Sequence, residues 1–130
     1  MDKNNLNISS IEMFLYSIMK DKVSENTYVG TFPDTISASW EDMCLIDCGA
    51  NLSDMDAYGN GVVLIWLYAK PLLDGSKNVG KMQELEERLN AVLSDTFDEN
   101  YKINRRNTYS DYDTNRKWHC NIVEINIVVF

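Results

Sequence analysis

Apolar positions along this chain recur with two different spacings, and the spacing changes in a definite order. Ile11, Phe14, Leu15 and Ile18 come first, three and four residues apart, which places them on one side of a helix. Ser9-Ser10-Ile11-Glu12 just before them has the form of a capping box, with Ser9 as the cap and Glu12 reaching back. Ile8 is placed to staple onto Met13. The helix is expected to end near Lys20 to Val23, where cations suit the carbonyl end.

The spacing then shortens. Thr27 to Thr31 reads as a short strand, broken by Phe32-Pro33-Asp34 because proline cannot donate to a ladder. Ser37 to Cys48 is the next strand, with Cys44, Ile46 and Cys48 on one face and Met43 and Leu45 on the other. Gly49 ends it. The stretch Ala50 to Gly61 is polar and turn-rich and is expected to be a long mobile loop between two antiparallel strands. Val62 to Ala69 is the strongest strand, apolar on both faces and therefore expected at the centre of the sheet with cover on both sides. Pro71 ends it, and Asp74-Gly75-Ser76 turns into a second helix over Val79 to Phe97. There Val79, Met82, Leu85, Leu89, Val92 and Leu93 form one apolar stripe, and Glu84 and Arg88 form an i,i+4 pair. Tyr101 to Tyr109, a turn over Ser110 to Asn115 and a returning strand over Arg116 to Phe130 complete a hairpin. Val123, Ile125, Ile127 and Val129 share one face of that last strand, with Glu124 and Asn126 on the other. A strand in that position has to be paired to be held. The expected fold is α+β: one domain over residues 1–130. It is a mixed or antiparallel sheet of about five strands packed on two helices, in the order α-β-β-β-α-β-β.

Composition supports a packed core: 45% of the 130 residues are hydrophobic and 25% charged, unlike a disordered chain. The longest apolar run, Val62 to Ala69, is well short of the roughly 20 residues that span a bilayer, so no membrane partner is expected. The start, Met1-Asp2-Lys3-Asn4-Asn5, lacks the apolar segment of a secretion signal, and intracellular synthesis is the expectation. The formal net charge of -8 opposes binding to a phosphate backbone. The basic pairs Arg105-Arg106 and Arg116-Lys117 have acidic neighbours such as Asp111 and Asp113, so specific DNA binding is not expected.

Candidate chemistry is sparse. Cys44 and Cys48 on one strand would stand roughly 13 Å apart, against the roughly 7 Å limit of a disulfide, and reduced, partly buried thiols are expected. Together with Cys120 and His119 they have the elements of a zinc site, but the spacing is wrong for a knuckle, and His119 and Cys120 should point to opposite faces. No local signature supports a Cys-His nucleophile. Asp54 with Asp56, and Asp111 with Asp113, could hold calcium. The glycine and terminal glutamate of an EF-hand loop are missing, however, and solvated turns are the expected reading. Neither glycine-rich phosphate-binding motif is present. The expectation is therefore no catalytic residue, no metal and no cofactor. Trp40, Trp66, Trp118 and the tyrosines are left to fill a core, line a ligand pocket or anchor an interface.

The order of elements resembles the tail-terminator, or tail-completion and head-tail joining, proteins of long-tailed bacteriophages and related contractile systems. The resemblance is carried by the opening helix, the Phe32-Pro33 segment before the Trp40 to Cys48 strand, and the polar Asn51 to Asn60 stretch leading into Val62 to Tyr68. The Met82 to Leu93 helix and the terminal hairpin complete it. It implies a small non-enzymatic α+β subunit of a virion or prophage structure, met in the virion or the host cytoplasm. Such a subunit forms a homo-hexameric ring, caps the tail tube and joins it to the neck proteins, and DNA passes through the ring without being specifically bound. An acidic lumen suits that passage because it repels phosphate. Under this reading the interface candidates are Tyr28 on a strand edge, Asp54, Asp56 and Tyr58 in the first polar loop, and Asp111, Tyr112 and Asp113 in the second. Two other classes remain open. One is a bacterial adaptor domain binding a peptide or small ligand. The other is an enzyme, which would need a cleft joining His119 to a carboxylate or thiol.

Overall fold

The computed structural model describes residues 8–48, 52–55, 58–95 and 98–130, with side chains described outside 52–60. The elements run α1 (Ile8–Met19), β1 (Thr27–Val29), β2 (Asp42–Asp47), β3 (Leu52–Met55), β4 (Tyr58–Ala69), α2 (Val79–Asp95), β5 (Tyr101–Asp113) and β6 (Trp118–Val129). The strands form one sheet in the order β1-β2-β4-β6-β5, with β3 also paired to β4. β1 runs parallel to β2, and every other pairing is antiparallel. The class is α+β, as the spacing predicts, with two helices and one strand beyond the expected set.

That extra strand corrects the reading of Ala50 to Gly61 as a loop. Leu52 pairs with Gly61 and Met55 with Tyr58, so this stretch forms a β-hairpin that lengthens β4 backward. Its polar composition hid it, and backbone pairing with β4 holds it extended. The second loop is corrected likewise. Ser110, Asp111, Tyr112 and Asp113 are the last four residues of β5, facing Asn121, Cys120, His119 and Trp118. Ser9 lies inside α1, so it is not the cap, and Met13, 74% exposed, is not stapled under Ile8. The second strand starts at Asp42 and not at Ser37.

Both helices lie on one face of the sheet. Ile11, Leu15, Met19, Val23, Met82, Leu85, Leu89 and Val92 pack there on Cys44, Ile46, Val63, Ile65, Leu67, Val123, Ile125, Ile127 and Val129. The expected alternation holds on β2 and β6, and β4 turns Val63, Ile65, Leu67 and Ala69 to this same core. Val79, however, is 64% exposed and leaves the stripe. It is the first residue of α2, just past the cap, where Asn78 Oδ1 accepts the Lys81 N–H at 3.1 Å. β4 is central, between β2 and β6. Between Arg105 and Thr108, β5 carries a bulge, so Arg106 and Asn107 together stand opposite Glu124. Glu124 takes Arg106 at 3.5 Å and an Asn107 amide bond at 3.4 Å.

Candidate interaction surface

Among the described residues, no helix packs on the second face of the sheet. A smaller cluster of Phe32, Met43, Tyr68, Trp118, Cys120 and Ile122 occupies one end, with Tyr28, Ile36, Trp40, Leu45, Leu64 and Trp66 partly buried around it. The segment after β1 supplies its cover. Proline after Phe32 ends the strand and lets the chain fold back over the sheet. Phe32 meets Tyr28 edge-on at 5.9 Å and Tyr68 edge-on at 5.1 Å, while Trp40 stacks on Tyr28 at 5.8 Å. The Arg116 guanidinium sits 4.9 Å from the Phe32 ring centre, a cation–π contact. Leu45, Leu64 and Trp66 are covered only in part, and the Trp66 Nε1 hydrogen finds no acceptor among the described residues. Central placement of the Val62 to Ala69 strand is thus as expected, but its second face is only partly covered.

Several interface candidates meet at this end. The Tyr68 hydroxyl donates to Asp113 Oδ2 at 3.0 Å, and Arg116 NH1 donates to the same oxygen at 3.0 Å. Asp113 Oδ1 accepts the backbone N–H groups of Asn115 and Arg116. Burial alone would raise the Asp113 carboxyl, but these hydrogen bonds and the guanidinium outweigh it and hold it below the ordinary carboxylate value. Asp113 is therefore the fastening of the β5–β6 turn and not a free docking group. Tyr112 lies 4.8 Å from His119, edge to face, and stays 42% exposed. Asp111 is exposed, its Oδ1 accepting the Tyr112 N–H. Tyr28 is half-buried on β1. Asp54 and Tyr58 lie on the paired backbones of β3 and β4, and Asp56 lies outside the described residues. Tyr58 sits ten residues before Tyr68 on one strand, roughly 33 Å away, so the two candidate groups occupy opposite ends of the sheet. The aromatic chain from Tyr28 through Phe32 to Tyr68 joins residues far apart in sequence, and only the paired aromatic content hinted at it.

A second surface lies at the sheet edge. Ser9, Glu12, Met13, Tyr16 and Lys20 of the α1 side and Thr27, Tyr28 and Val29 of β1 line an open, mostly apolar groove of about 500 Å³. Asn26 O accepts from Cys44 N and Gly30 N donates to Ile46 O. Strand alternation turns the main-chain groups of Thr27 and Val29 away from β2, where Val29 O accepts from Thr31 N at 2.9 Å and Thr27 is buried.

Polar seams fasten the helices to the sheet. Asp42, 9% exposed, accepts from Ser24 Oγ at 2.5 Å and pairs with Lys81 at 3.1 Å and Arg88 at 3.7 Å. Lys77 Nζ donates to Ser110 Oγ and Asn121 Oδ1, and Asn121 Nδ2 donates to Glu86. The Lys77–Ser110 contact has the atoms of a nucleophile with a base. Asn121 and Glu86 complete it as a structural tie.

The thiols do not converge. Cys44 and Cys48 lie under the helices and Cys120 on the other face, so one ion cannot bridge them with His119, whose Nε2 is 3.2 Å from Gly75 O. Burial, reinforced by Asp42, pushes the Cys44 thiol far up. Burial likewise lifts Cys48 to about 12, with Glu12 and Asp47 adding, and Cys120 to about 11, with Asp111 and Asp113 adding. No described helix is long and apolar enough to cross a membrane. No protein-family model matches this chain, and no curated protein matches its sequence.

Proposed function

We propose that this chain is a structural assembly subunit of the bacteriophage tail-terminator kind, one that builds an oligomeric ring, caps a tail tube and meets the neck. The observation that carries the reading is the exposed edge strand β5, 13 residues long at one end of the sheet. Unpaired edge groups are templates for pairing with another chain. The net charge of -8 suits a ring that lets DNA through without gripping it. A non-catalytic role is supported by the dispersal of the thiols, His119 and the carboxylates into separate structural contacts. Virion and host cytoplasm are the places such a subunit works.

Solution mass by light scattering, over a wide range of protein concentration, tests the reading. A hexamer supports it. A monomer at every concentration that also fails to bind purified tail tubes removes it. The mostly apolar groove beside β1 favours one second reading, an adaptor that seats a peptide or small ligand there. Peptide binding by a strictly monomeric protein would support that reading instead.

A further inference from the structure

We infer that β5 pairs edge to edge with the β5 of a second copy of this chain, antiparallel across a two-fold axis that passes through the bulge, so that two sheets become one. The inference goes beyond the ring reading: a two-fold contact closes at two copies, and a ring would be built from such pairs. The outward main-chain groups of β5 can be followed along the strand. Phe130 N donates to Asn100 O at 2.8 Å, so Asn100 faces β6, and alternation turns Ile103 and Arg105 outward. The bulge between Arg105 and Thr108 shifts the register by one residue, and beyond it Thr108 and Ser110 are the residues turned outward. Tyr112 agrees, since its N–H is taken by Asp111 Oδ1 at 2.8 Å. From Asn104 through Tyr112 the strand is exposed, Tyr109 to 45%.

The bulge selects the occupant. Outward residues alternate on a regular strand, but across the bulge the step from Arg105 to Thr108 is one residue longer. A regular strand laid on this edge therefore keeps step with one half of β5 and loses it on the other. A second copy carries the same irregularity. Turned by the two-fold, it sets Arg106 opposite Asn107, Arg105 opposite Thr108 and Ile103 opposite Ser110, and both halves stay in step. The same register brings Lys102 to Asp111 and Asn104 to Tyr109, each pair on the sheet face away from the helices. Charge agrees with the antiparallel sense. Tyr101 to Asn107 holds Lys102, Arg105 and Arg106 and no carboxylate, while Thr108 to Asp113 holds Asp111 and Asp113 and no cation. The arginines are engaged within the chain, by Glu86, Asn90 and Glu124. The cross-copy pair is therefore Lys102 with Asp111, both exposed, and opposite charges facing each other across strands favour pairing. Tyr101 N–H is held by Asp98 O at 3.4 Å, so the contact runs from Lys102 to Asp111.

Single thiols placed at Lys102→Cys and Asp111→Cys, in the full chain, test this with a short bismaleimide. The three native cysteines are buried and remain silent. Mixing the two variants should give a covalent dimer. Neither should link alone, because the two-fold leaves like positions roughly 30 Å apart. The double variant should stop at a covalent dimer, where a head-to-tail contact would run on to a ladder. The pair Asn104→Cys and Tyr109→Cys repeats the test should one variant fold poorly. Charge gives a second readout: Lys102→Glu and Asp111→Lys should each weaken the dimer in light scattering, and the variant carrying both should restore it. A ladder, or multimers that never link at these positions, overturn this pairing and leave the ring reading standing. Monomers at every concentration overturn it too, and the ring reading falls with it only when the protein also fails to bind purified tail tubes.

Discussion

The hydroxyl of Tyr68, near the end of the central strand, donates to Asp113 Oδ2 at 3.0 Å across 45 residues of sequence. That bond ties the β5–β6 turn to the aromatic end of the open sheet face. Tyr68→Phe should cost about 1 kcal/mol, the net worth of one such bond. Asp113→Ala also strips Arg116 and two backbone N–H groups of their acceptor, and should cost about 2–3 kcal/mol. Urea unfolding of the two variants and the double variant would check the order. Equal losses would mean that the turn does not depend on Asp113.

The same carboxyl sets an acid limit. Its folded value lies below the ordinary 3.8, so the unfolded chain takes up the proton first. Its stabilisation is whole above 3.8 and is lost as the pH falls through the lower folded value. Wild type should therefore lose more stability than Asp113→Asn when unfolding is followed downward through that range.

At alkaline pH the sign reverses. Cys44, Cys48, Cys120 and Tyr68 all hold their protons more tightly folded than unfolded, chiefly through burial. Their contribution is whole below 9.0, the ordinary thiol value, and declines as the pH rises toward about 11 and 12, where Cys120 and Cys48 titrate folded. Melting temperature should fall steadily above that threshold. Iodoacetamide at mildly alkaline pH should leave the native thiols unmodified and label all three on addition of denaturant. Rapid labelling of the native protein would show that a thiol is accessible.

Asp42 anchors α2 to the sheet with two cations and one hydroxyl. Asp42→Ala should cost about 3–5 kcal/mol, the range for breaking a buried pair and leaving its partners uncompensated. Lys81→Ala should cost less, because Arg88 remains beside the carboxylate at 3.7 Å. Thermal unfolding of both variants decides it, and a larger loss for Lys81→Ala would contradict the assignment.

Leu85 and Val79 stood in the same predicted stripe, but the first is fully buried and the second 64% exposed. Leu85→Ala should cost about 2–5 kcal/mol through the cavity it leaves. Val79→Ala should stay within about 0.5 kcal/mol. Denaturant midpoints of the two variants give the comparison.

Such pairs show what a sequence carries. Val62 to Ala69 was legible because burial on both faces leaves an unbroken apolar run, and Cys44, Ile46 and Cys48 because one-sided burial leaves alternation. β3 and the end of β5 were illegible because their residues are polar and turn-forming. Pairing with β4 and β6, set by contacts far along the chain, holds them extended. The aromatic end of the open face was hidden for the same reason. Phe32 reads as a loop residue until the fold brings it against Tyr68.

The bulge at Arg106 and Asn107 acts as a slack link in an otherwise rigid ruler. Both halves of β5 keep their alignment with β6 because the surplus residue is absorbed at one point. A chain one residue shorter there would still set Thr108 opposite Val123 and Tyr109 opposite Ile122. Length can therefore vary at that point without scrambling which side chains face the helices, whereas a deletion anywhere else in the strand would turn its neighbours inside out.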